Sequence, residues 1–288
     1  TSGGGMTQFS YTRGCMGGGG RWSPSSSSSN IIDYITIAST GNAADFGDLT
    51  SSRGGCAGIN STTRGCFAGG MEIAGSTFTN IIDYITILTA GNATDFGDLN
   101  DSQWLSGGCS DLSRGLSGGG RNAGYENVID YFTISTTGNA TDFGDLTQGR
   151  GGIGAVADST RGVFAGGYGP SDTNVIDYVT IQTTGNAVDF GDLTVARAGA
   201  SGAASATRGV FAGGAAHTGD TIDYITIQTT GNATDFGNQT ESRIWTASCS
   251  NLTRGTWAGG EQSANTHSEI IDYVTIDTTG NATDFGDF

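Results

Sequence analysis

The chain has 288 residues and a net charge of −16, and all twelve of its basic residues are arginine. An acidic surface repels the phosphates of nucleic acids and the head groups of anionic lipids, and the absence of lysine excludes Schiff-base chemistry and P-loop phosphate binding. Glycine is abundant, at 51 residues, but it shows no Gly-X-Y period, which excludes collagen.

The tripeptide Ile-Asp-Tyr occurs six times, and its copies define an internal repeat. Arg-Gly precedes each copy, and Gly-Asn-Ala, one variable residue and Asp-Phe-Gly follow it. The aspartates of the tripeptide are Asp33, Asp83, Asp130, Asp177, Asp223 and Asp272. The arginines of Arg-Gly are Arg13, Arg64, Arg114, Arg161, Arg208 and Arg254. Six copies fill the chain, so we expect a single domain over residues 1–288, with approximate units 1–50, 51–100, 101–147, 148–194, 195–240 and 241–288.

Each unit predicts four strands in chain order. A segment of small residues comes first, as in residues 54–60 and 199–206. The Arg-Gly segment follows, as in residues 161–167, and then the β-rich run at residues 175–181. A short aromatic strand, residues 188–193, ends the unit. Glycine followed by asparagine between the last two strands suits a tight type II′ hairpin, which implies antiparallel neighbours.

The third strand of the unit is apolar on both faces. Ile176 and Tyr178 share one face, and Val179 and Ile181 share the other, because side chains alternate along a strand. Such a strand belongs in a sheet that is covered on both sides, as stacked blades are. The sequence therefore predicts an all-β fold, a six-bladed β-propeller with four antiparallel strands per blade; a stacked solenoid is the main alternative.

The unit resembles the kelch repeat, whose length is about 50 residues. The features that carry the resemblance are Gly166-Gly167 closing a strand, Phe190 as the aromatic of the fourth strand, and Arg197 opening the next unit. This last arginine recurs as Arg53, Arg150 and Arg243, whereas Gln103 and Ser2 replace it in the third and first copies. Phenylalanine also stands where kelch repeats usually have tryptophan. The resemblance implies that the small-residue strands line the central axis.

The amino-acid sequence of the unit is also similar to that of repeat proteins from virions of tailed phages that infect aquatic bacteria. It shares Thr-Arg-Gly-Val-Phe-Ala-Gly-Gly, Ile-Asp-Tyr-Ile-Thr-Ile and Thr-Gly-Asn-Ala-Thr-Asp-Phe-Gly-Asp-Leu with them. This similarity implies a structural protein of a virion appendage, fibre or tail, located in a virion or outside the cell. Its expected partners are other virion or fibril subunits, including copies of itself.

The residues do not predict an enzyme, a cofactor or a metal site. Near-identical repeats supply symmetric rings of side chains, whereas catalysis needs an asymmetric reactive cluster. Two histidines, His217 and His267, are too few for a copper site of the galactose-oxidase type, and the sialidase aspartate box is missing. No apolar run approaches the length of a membrane span, so no membrane insertion is expected.

Two sets of polar residues in the repeat favour structural roles. Asp45 and Asp48 flank Phe46-Gly47, and closely spaced aspartates can bind calcium. The favoured prediction is instead that they bond backbone amides in a turn or pair with the Arg-Gly arginines. The five cysteines form no disulfide framework. Cys15 and Cys66 occupy the position of Val163 and Val210, which predicts small buried side chains.

Variation between the copies is concentrated in the connection between the second and third strands. These connections are residues 21–29, 71–79, 120–127, 168–174, 215–221 and 261–269. A rigid scaffold that presents such loops commonly uses them for recognition. The candidate binding residues there are Trp22, Phe78, Tyr125, Tyr168, His217 and His267. A module that binds a cell-surface glycan or protein is therefore the alternative to a purely structural component, and a subunit of a secreted fibril is a variant of the structural role.

Overall fold

The computed structural model describes residues 4–5, 12–21, 26–214, 219–263 and 266–288. These residues form six four-stranded antiparallel sheets, each built from one contiguous part of the chain. The six sheets are the blades of a propeller, and no helix occurs in the described part of the chain. The predicted all-β, six-bladed fold is confirmed.

The first two strands of each blade are short and rich in small residues. The first strands of blades 1 to 6 are Gly4–Gly5, Ala57–Asn60, Gly107–Ser110, Gly154–Ala157, Ser201–Ala204 and Ala247–Ser250. The second strands are Arg13–Gly17, Arg64–Ala68, Arg114–Arg121, Arg161–Ala165, Arg208–Ala212 and Arg254–Ala258.

The last two strands of each blade carry the Ile-Asp-Tyr and Asp-Phe-Gly motifs. The third strands are Ile31–Thr36, Ile81–Thr86, Tyr125–Thr133, Val175–Thr180, Thr221–Thr226 and Ile270–Thr275. The fourth strands are Ala44–Asp48, Thr94–Asp98, Thr141–Asp145, Val188–Asp192, Thr234–Asn238 and Thr283–Asp287. Three connections between second and third strands add two-stranded hairpins, Gly20–Arg21 with Ser27–Ser28, Met71–Glu72 with Thr77–Phe78, and Glu261–Ser263 with Thr266–His267.

The first strands line the central axis, as expected for the small-residue segments. Each lies beside the first strands of both neighbouring blades, which leaves an axial cavity of about 80 Å³. The approach of the backbones is close, since a Cβ atom added at Gly202 would lie 2.5 Å from the carbonyl oxygen of Ala155. Small residues are therefore a steric requirement of the axis.

The third strand is covered on both faces by neighbouring blades. In blade 4, Ile176 packs in one cluster with Phe211 of blade 5, while Val179 packs in another with Leu116 of blade 3. Equivalent clusters fill every interface between adjacent blades, including one in which Met16 of blade 1 meets Cys249 of blade 6. The core is thus a closed ring of six interfaces, which a stacked solenoid would not have.

The predicted type II′ hairpin at Gly-Asn is wrong. In blade 2 the third strand ends at Thr86 and the fourth begins at Thr94, and the tight turn lies at Thr86, whose carbonyl oxygen accepts from the Thr89 N–H at 3.0 Å. Gly91 and Asn92 instead dock on the fourth strand of blade 1. The Gly91 N–H donates to the Phe46 carbonyl at 2.8 Å, and the Asn92 side-chain oxygen accepts from the Asp48 N–H at 3.1 Å.

This docking contact repeats at all six interfaces between blades. Between blades 6 and 1, the Gly41 N–H donates to the Phe285 carbonyl at 2.8 Å, and Asn42 accepts from the Asp287 N–H at 3.2 Å. The glycine of Asp-Phe-Gly makes room for it, since a Cβ added at Gly97 would lie 2.4 Å from the Gly138 carbonyl oxygen. The ring therefore closes through the same contact everywhere, with no strand exchanged between the ends of the described chain.

The six Arg-Gly arginines bind their neighbouring blades, at equivalent half-buried sites. Arg161 donates to the carbonyl of Ile227 in blade 5 at 2.9 Å, and its guanidinium lies 4.1 Å from the ring centre of Tyr178 in its own blade. For Arg161 the expected pairing with an Asp-Phe-Gly carboxylate is wrong, because the partner of its guanidinium is a main-chain carbonyl of the next blade. The corresponding pairs are Arg13–Ile87, Arg64–Ile134, Arg114–Ile181, Arg208–Ile276 and Arg254–Ile37.

A second set of arginines forms buried ion pairs with the Ile-Asp-Tyr aspartates. The pairs are Arg53–Asp83 at 2.8 Å, Arg150–Asp177 at 3.0 Å, Arg197–Asp223 at 2.9 Å and Arg243–Asp272 at 2.6 Å. Both partners of each pair are almost completely buried. In blade 3, where Gln103 replaces the arginine, Asp130 accepts hydrogen bonds from Asn100, and burial raises the pKa of Asp130. Both positions recur in the repeat, but only the fold shows that they pair.

Candidate functional site

The variable connections and the links between blades lie on the same face of the ring, here called the loop face. Strands alternate in direction, so the connection from the second to the third strand and the link to the next blade emerge at the same end of each sheet. The two are joined by main-chain hydrogen bonds. In blade 3 the Trp104 N–H donates to the Arg121 carbonyl at 3.1 Å, and in blade 4 the Gly151 N–H donates to the Tyr168 carbonyl at 2.9 Å.

The structure brings two of the predicted binding residues together on this face. Tyr125 of blade 3 and Tyr168 of blade 4 contact each other edge to face, with ring centres 5.3 Å apart. Phe78 contacts Trp104 instead, with ring centres 6.2 Å apart. His267 lies elsewhere, where blade 6 meets blade 1. Trp22 and His217 lie outside the described residues.

A chain of backbone hydrogen bonds surrounds the mouth of the axis on the loop face. In each link the residue two positions after the arginine, or after Gln103, has φ between +60° and +75°. From blade 3 onward, its N–H donates to the carbonyl of the corresponding residue in the preceding blade, at 2.7 to 3.0 Å. The residues in this chain are Gly55, Leu105, Gly152, Gly199 and Trp245.

Leu105 and Trp245 hold a backbone conformation that glycine adopts in the other three links. A side chain with positive φ costs about 1–3 kcal/mol and persists where the surroundings or a function require it. The Trp245 ring lies over its neighbours, since a Cβ added at Gly199 would lie 3.1 Å from it. Two large apolar side chains are therefore held over the mouth of the axis at a cost in backbone strain.

These side chains line a cavity of about 250 Å³ where blades 3, 4, 5 and 6 converge. We call it the aromatic cup, and its principal residues are Trp104, Leu105, Arg121, Tyr125, Tyr168, Asp172 and Trp245. The walls are predominantly apolar, and one cation and one carboxylate stand among the rings.

The electrostatics of the aromatic cup follow from its partial burial. The guanidinium of Arg121 lies 5.5 Å from the ring centre of Tyr125, close enough for a cation–π contact. Burial and a hydrogen bond with Tyr168 raise the pKa of Tyr125, and burial raises the pKa of Asp172. The phenol of Tyr125 is therefore a neutral hydrogen-bonding group at physiological pH.

Sequence reasoning missed Trp104, Leu105 and Trp245, although the repeat contained a signal for them. The two residues after the arginine are Gly-Gly or Ala-Gly in three of the links. They are Trp104-Leu105 and Ile244-Trp245 in the other two. A large apolar residue at a position that the unit otherwise gives to glycine marks a departure from the framework.

The cysteines and acids do not add a reactive centre to the cup. All five thiols are free and buried, as the valine-like positions of Cys15 and Cys66 predict, and burial raises the pKa of Cys66 to about 12. Within the described ranges, no group of three or more His, Cys, Asp or Glu residues could hold a metal ion. No helix among those residues has the length and apolar character that crossing a membrane requires.

No protein-family model matches the chain, and no curated protein matches it either. The likeness to kelch repeats and to virion proteins therefore stays a prediction from the sequence. The six-bladed ring is what the structure establishes.

Proposed function

We propose that this chain is a non-enzymatic interaction protein that binds a neutral glycan on its loop face. The observation that carries the proposal is the aromatic cup, above all the placement of Leu105 and Trp245 in a left-handed conformation that glycine adopts without strain. A kelch-like ring supplies the rigid frame, and the residues that vary between blades supply the ligand site.

The chemistry of the aromatic cup suits a sugar ring. Aromatic side chains offer flat apolar faces to the C–H groups of a sugar, while Arg121 and Asp172 offer a donor and an acceptor to its hydroxyl groups. The volume of about 250 Å³ is below the usual range for drug-sized ligands, so it fits a single terminal sugar. The net charge of −16 repels anionic sugars, which favours a neutral one.

We propose that the protein is a component of a virion appendage, fibre or tail. The similarity of its repeat sequence to virion proteins supports this. A secreted fibril subunit would use the same ring. The fourth strand forms the outer edge of every blade and carries the aspartates of Asp-Phe-Gly-Asp, such as Asp95 and Asp98 of blade 2. Charged edge strands resist pairing with other edges, so we propose that subunits assemble through the faces of the ring.

The test replaces the two strained residues with the glycine of the other blades. The double variant Leu105→Gly, Trp245→Gly removes two of the large side chains that line the cup while keeping the backbone that the ring requires. We expect the wild type to bind neutral sugars on a glycan array and the double variant to lose that binding. Thermal unfolding should show that the double variant still folds, because relief of backbone strain offsets the lost apolar contacts.

The matched control is Leu112→Gly on the opposite face. Leu112 also has positive φ, at 77°, but it lies in the turn between the first and second strands of blade 3. Sugar binding should survive this change. Absence of sugar binding by the wild type, or equal binding by the double variant, would leave only the structural role.

A further inference from the structure

A further aromatic ring adjoins the aromatic cup on the side of blade 2. Phe78 contacts Trp104, with ring centres 6.2 Å apart and ring planes inclined by 30°. Trp104 also lines the cup, which it enters from the link into blade 3, whereas Tyr168 and Asp172 enter the cup from blade 4. Trp104 therefore joins the cup to Phe78, and the apolar surface of the site continues beyond the cup towards blade 2.

The ring of Phe78 is carried by a hairpin that is fixed to the propeller. The strands Met71–Glu72 and Thr77–Phe78 place Phe78 opposite Met71. The side chain of Met71 is buried, and its main chain exchanges two hydrogen bonds with Gly54 in the link from blade 1, at 2.9 and 3.0 Å. Phe78 is therefore held in place before any ligand arrives, which reduces the entropy lost on binding.

The repeat does not require an aromatic side chain at this position of the hairpin. In the other two hairpins of this type, the residue with the corresponding pairing is Ser28 in blade 1 and His267 in blade 6. Both are polar, whereas Phe78 and Trp104 are apolar and only half-buried. An apolar surface that the core leaves partly open, directly beside a cavity, is typical of a ligand-binding surface.

We propose that Phe78 and Trp104 form a second sugar subsite, so that the ligand is the end of a neutral oligosaccharide and not a free monosaccharide. This inference rests on the proposed sugar site, in which the cup holds the terminal sugar. The volume of about 250 Å³ holds one sugar, so a longer chain has to leave the cup across one of its walls. The wall at Trp104 leads to the ring of Phe78, which the second sugar covers with its apolar face.

The probes are pairs of sugars that end in the same residue: methyl α-glucoside with maltose, methyl β-glucoside with cellobiose, and methyl β-galactoside with lactose. In calorimetry, we expect the wild type to bind the disaccharide of its preferred pair about tenfold more tightly, because the second ring covers additional apolar surface. Phe78→Ser, which copies the hairpin of blade 1, should bind both members of that pair equally. Its affinity for the methyl glycoside should match that of the wild type.

The matched control is Thr77→Ala on the same hairpin strand. Neighbouring side chains point to opposite faces of a strand, and Thr77 lines a separate polar cavity together with Glu72. This variant should keep the wild-type preference for the disaccharide. Phe78→Tyr retains the aromatic ring and should keep the preference as well, which separates contact with the sugar from a general loss of hairpin structure.

Two results would overturn the second subsite and leave the proposed sugar site standing. One is equal affinity of the wild type for both members of the pair that it binds, and this result decides even if Phe78→Ser fails to fold. The other is a folded Phe78→Ser variant that keeps the preference for the disaccharide. If the wild type binds none of these sugars, the sugar site itself is contradicted, and the second subsite falls with it.

Discussion

Main-chain hydrogen bonds join neighbouring blades in two regions, at the outer interfaces and at the mouth of the axis. The two regions differ in the side chains that accompany these bonds. In both places an N–H of one blade donates to a carbonyl of its neighbour. At the outer interfaces the glycine of Gly-Asn-Ala and the phenylalanine of Asp-Phe-Gly recur in all six units. At the mouth the corresponding position is glycine in three links and Leu105 or Trp245 in the other two.

This difference shows where the molecule is free to carry a function. The outer contact needs the glycine of Asp-Phe-Gly for steric reasons, so the ring opposes any side chain at that position. At the mouth of the axis, glycine adopts the positive φ without strain in three links. Leu105 and Trp245 adopt the same φ at a cost in stability. Mutations at Leu105 and Trp245 should therefore affect the candidate site without disrupting the contacts that repeat in all six blades.

The largest expected effect comes from breaking a buried ion pair of the framework. Arg197→Gln places the residue of blade 3 in blade 5, where Asp223 would stay buried without its cation. Breaking such a pair costs about 3–5 kcal/mol. Urea unfolding monitored by tryptophan fluorescence measures the loss. A loss of less than about 1 kcal/mol in the free energy of unfolding would contradict this. It would mean that blade 5 tolerates glutamine in place of the arginine, as blade 3 does.

Removal of an Arg-Gly arginine should have the next largest effect. Arg161→Ala deletes a charged hydrogen bond worth about 1.5–3 kcal/mol and a cation–π contact worth about 0.5–1 kcal/mol. The expected loss of stability is therefore about 2–4 kcal/mol. Arg21→Ala, at an exposed arginine, is the control and should change stability by within about 0.5 kcal/mol. Equal effects of the two changes on the melting temperature would contradict the role of Arg161 at the interface.

The smallest expected effect separates two glycines of one interface type. Gly91 and Gly97 both have positive φ, but a Cβ at Gly91 would meet nothing within 4 Å, whereas one at Gly97 would lie 2.4 Å from the Gly138 carbonyl oxygen. Both alanine variants carry backbone strain, and Gly97→Ala adds a steric clash of about 1–3 kcal/mol. Thermal unfolding of the two variants gives the difference. Identical stabilities would show that φ, and not the close approach, makes glycine necessary.

Strand periodicity and the repeat were enough to predict six four-stranded β units, and the closed ring decided between a propeller and a stacked solenoid. The two-sided apolar pattern of Ile176, Tyr178, Val179 and Ile181 requires cover on both faces, and six copies of one unit supply it by closing into a ring. The valine-like positions of Cys15 and Cys66 likewise identified buried thiols, because burial follows the alternation of side chains along a strand.

Contacts between blades were decided only by the tertiary structure. Gly91-Asn92 has the local pattern of a tight hairpin, yet its partner is a strand 44 residues away in the preceding blade. Arg53 pairs with Asp83, 30 positions away. Leu105 of blade 3 and Trp245 of blade 6 line the same cavity although they are 140 positions apart. Sequence patterns report local conformation and burial, whereas the closure of the ring brings such distant residues together.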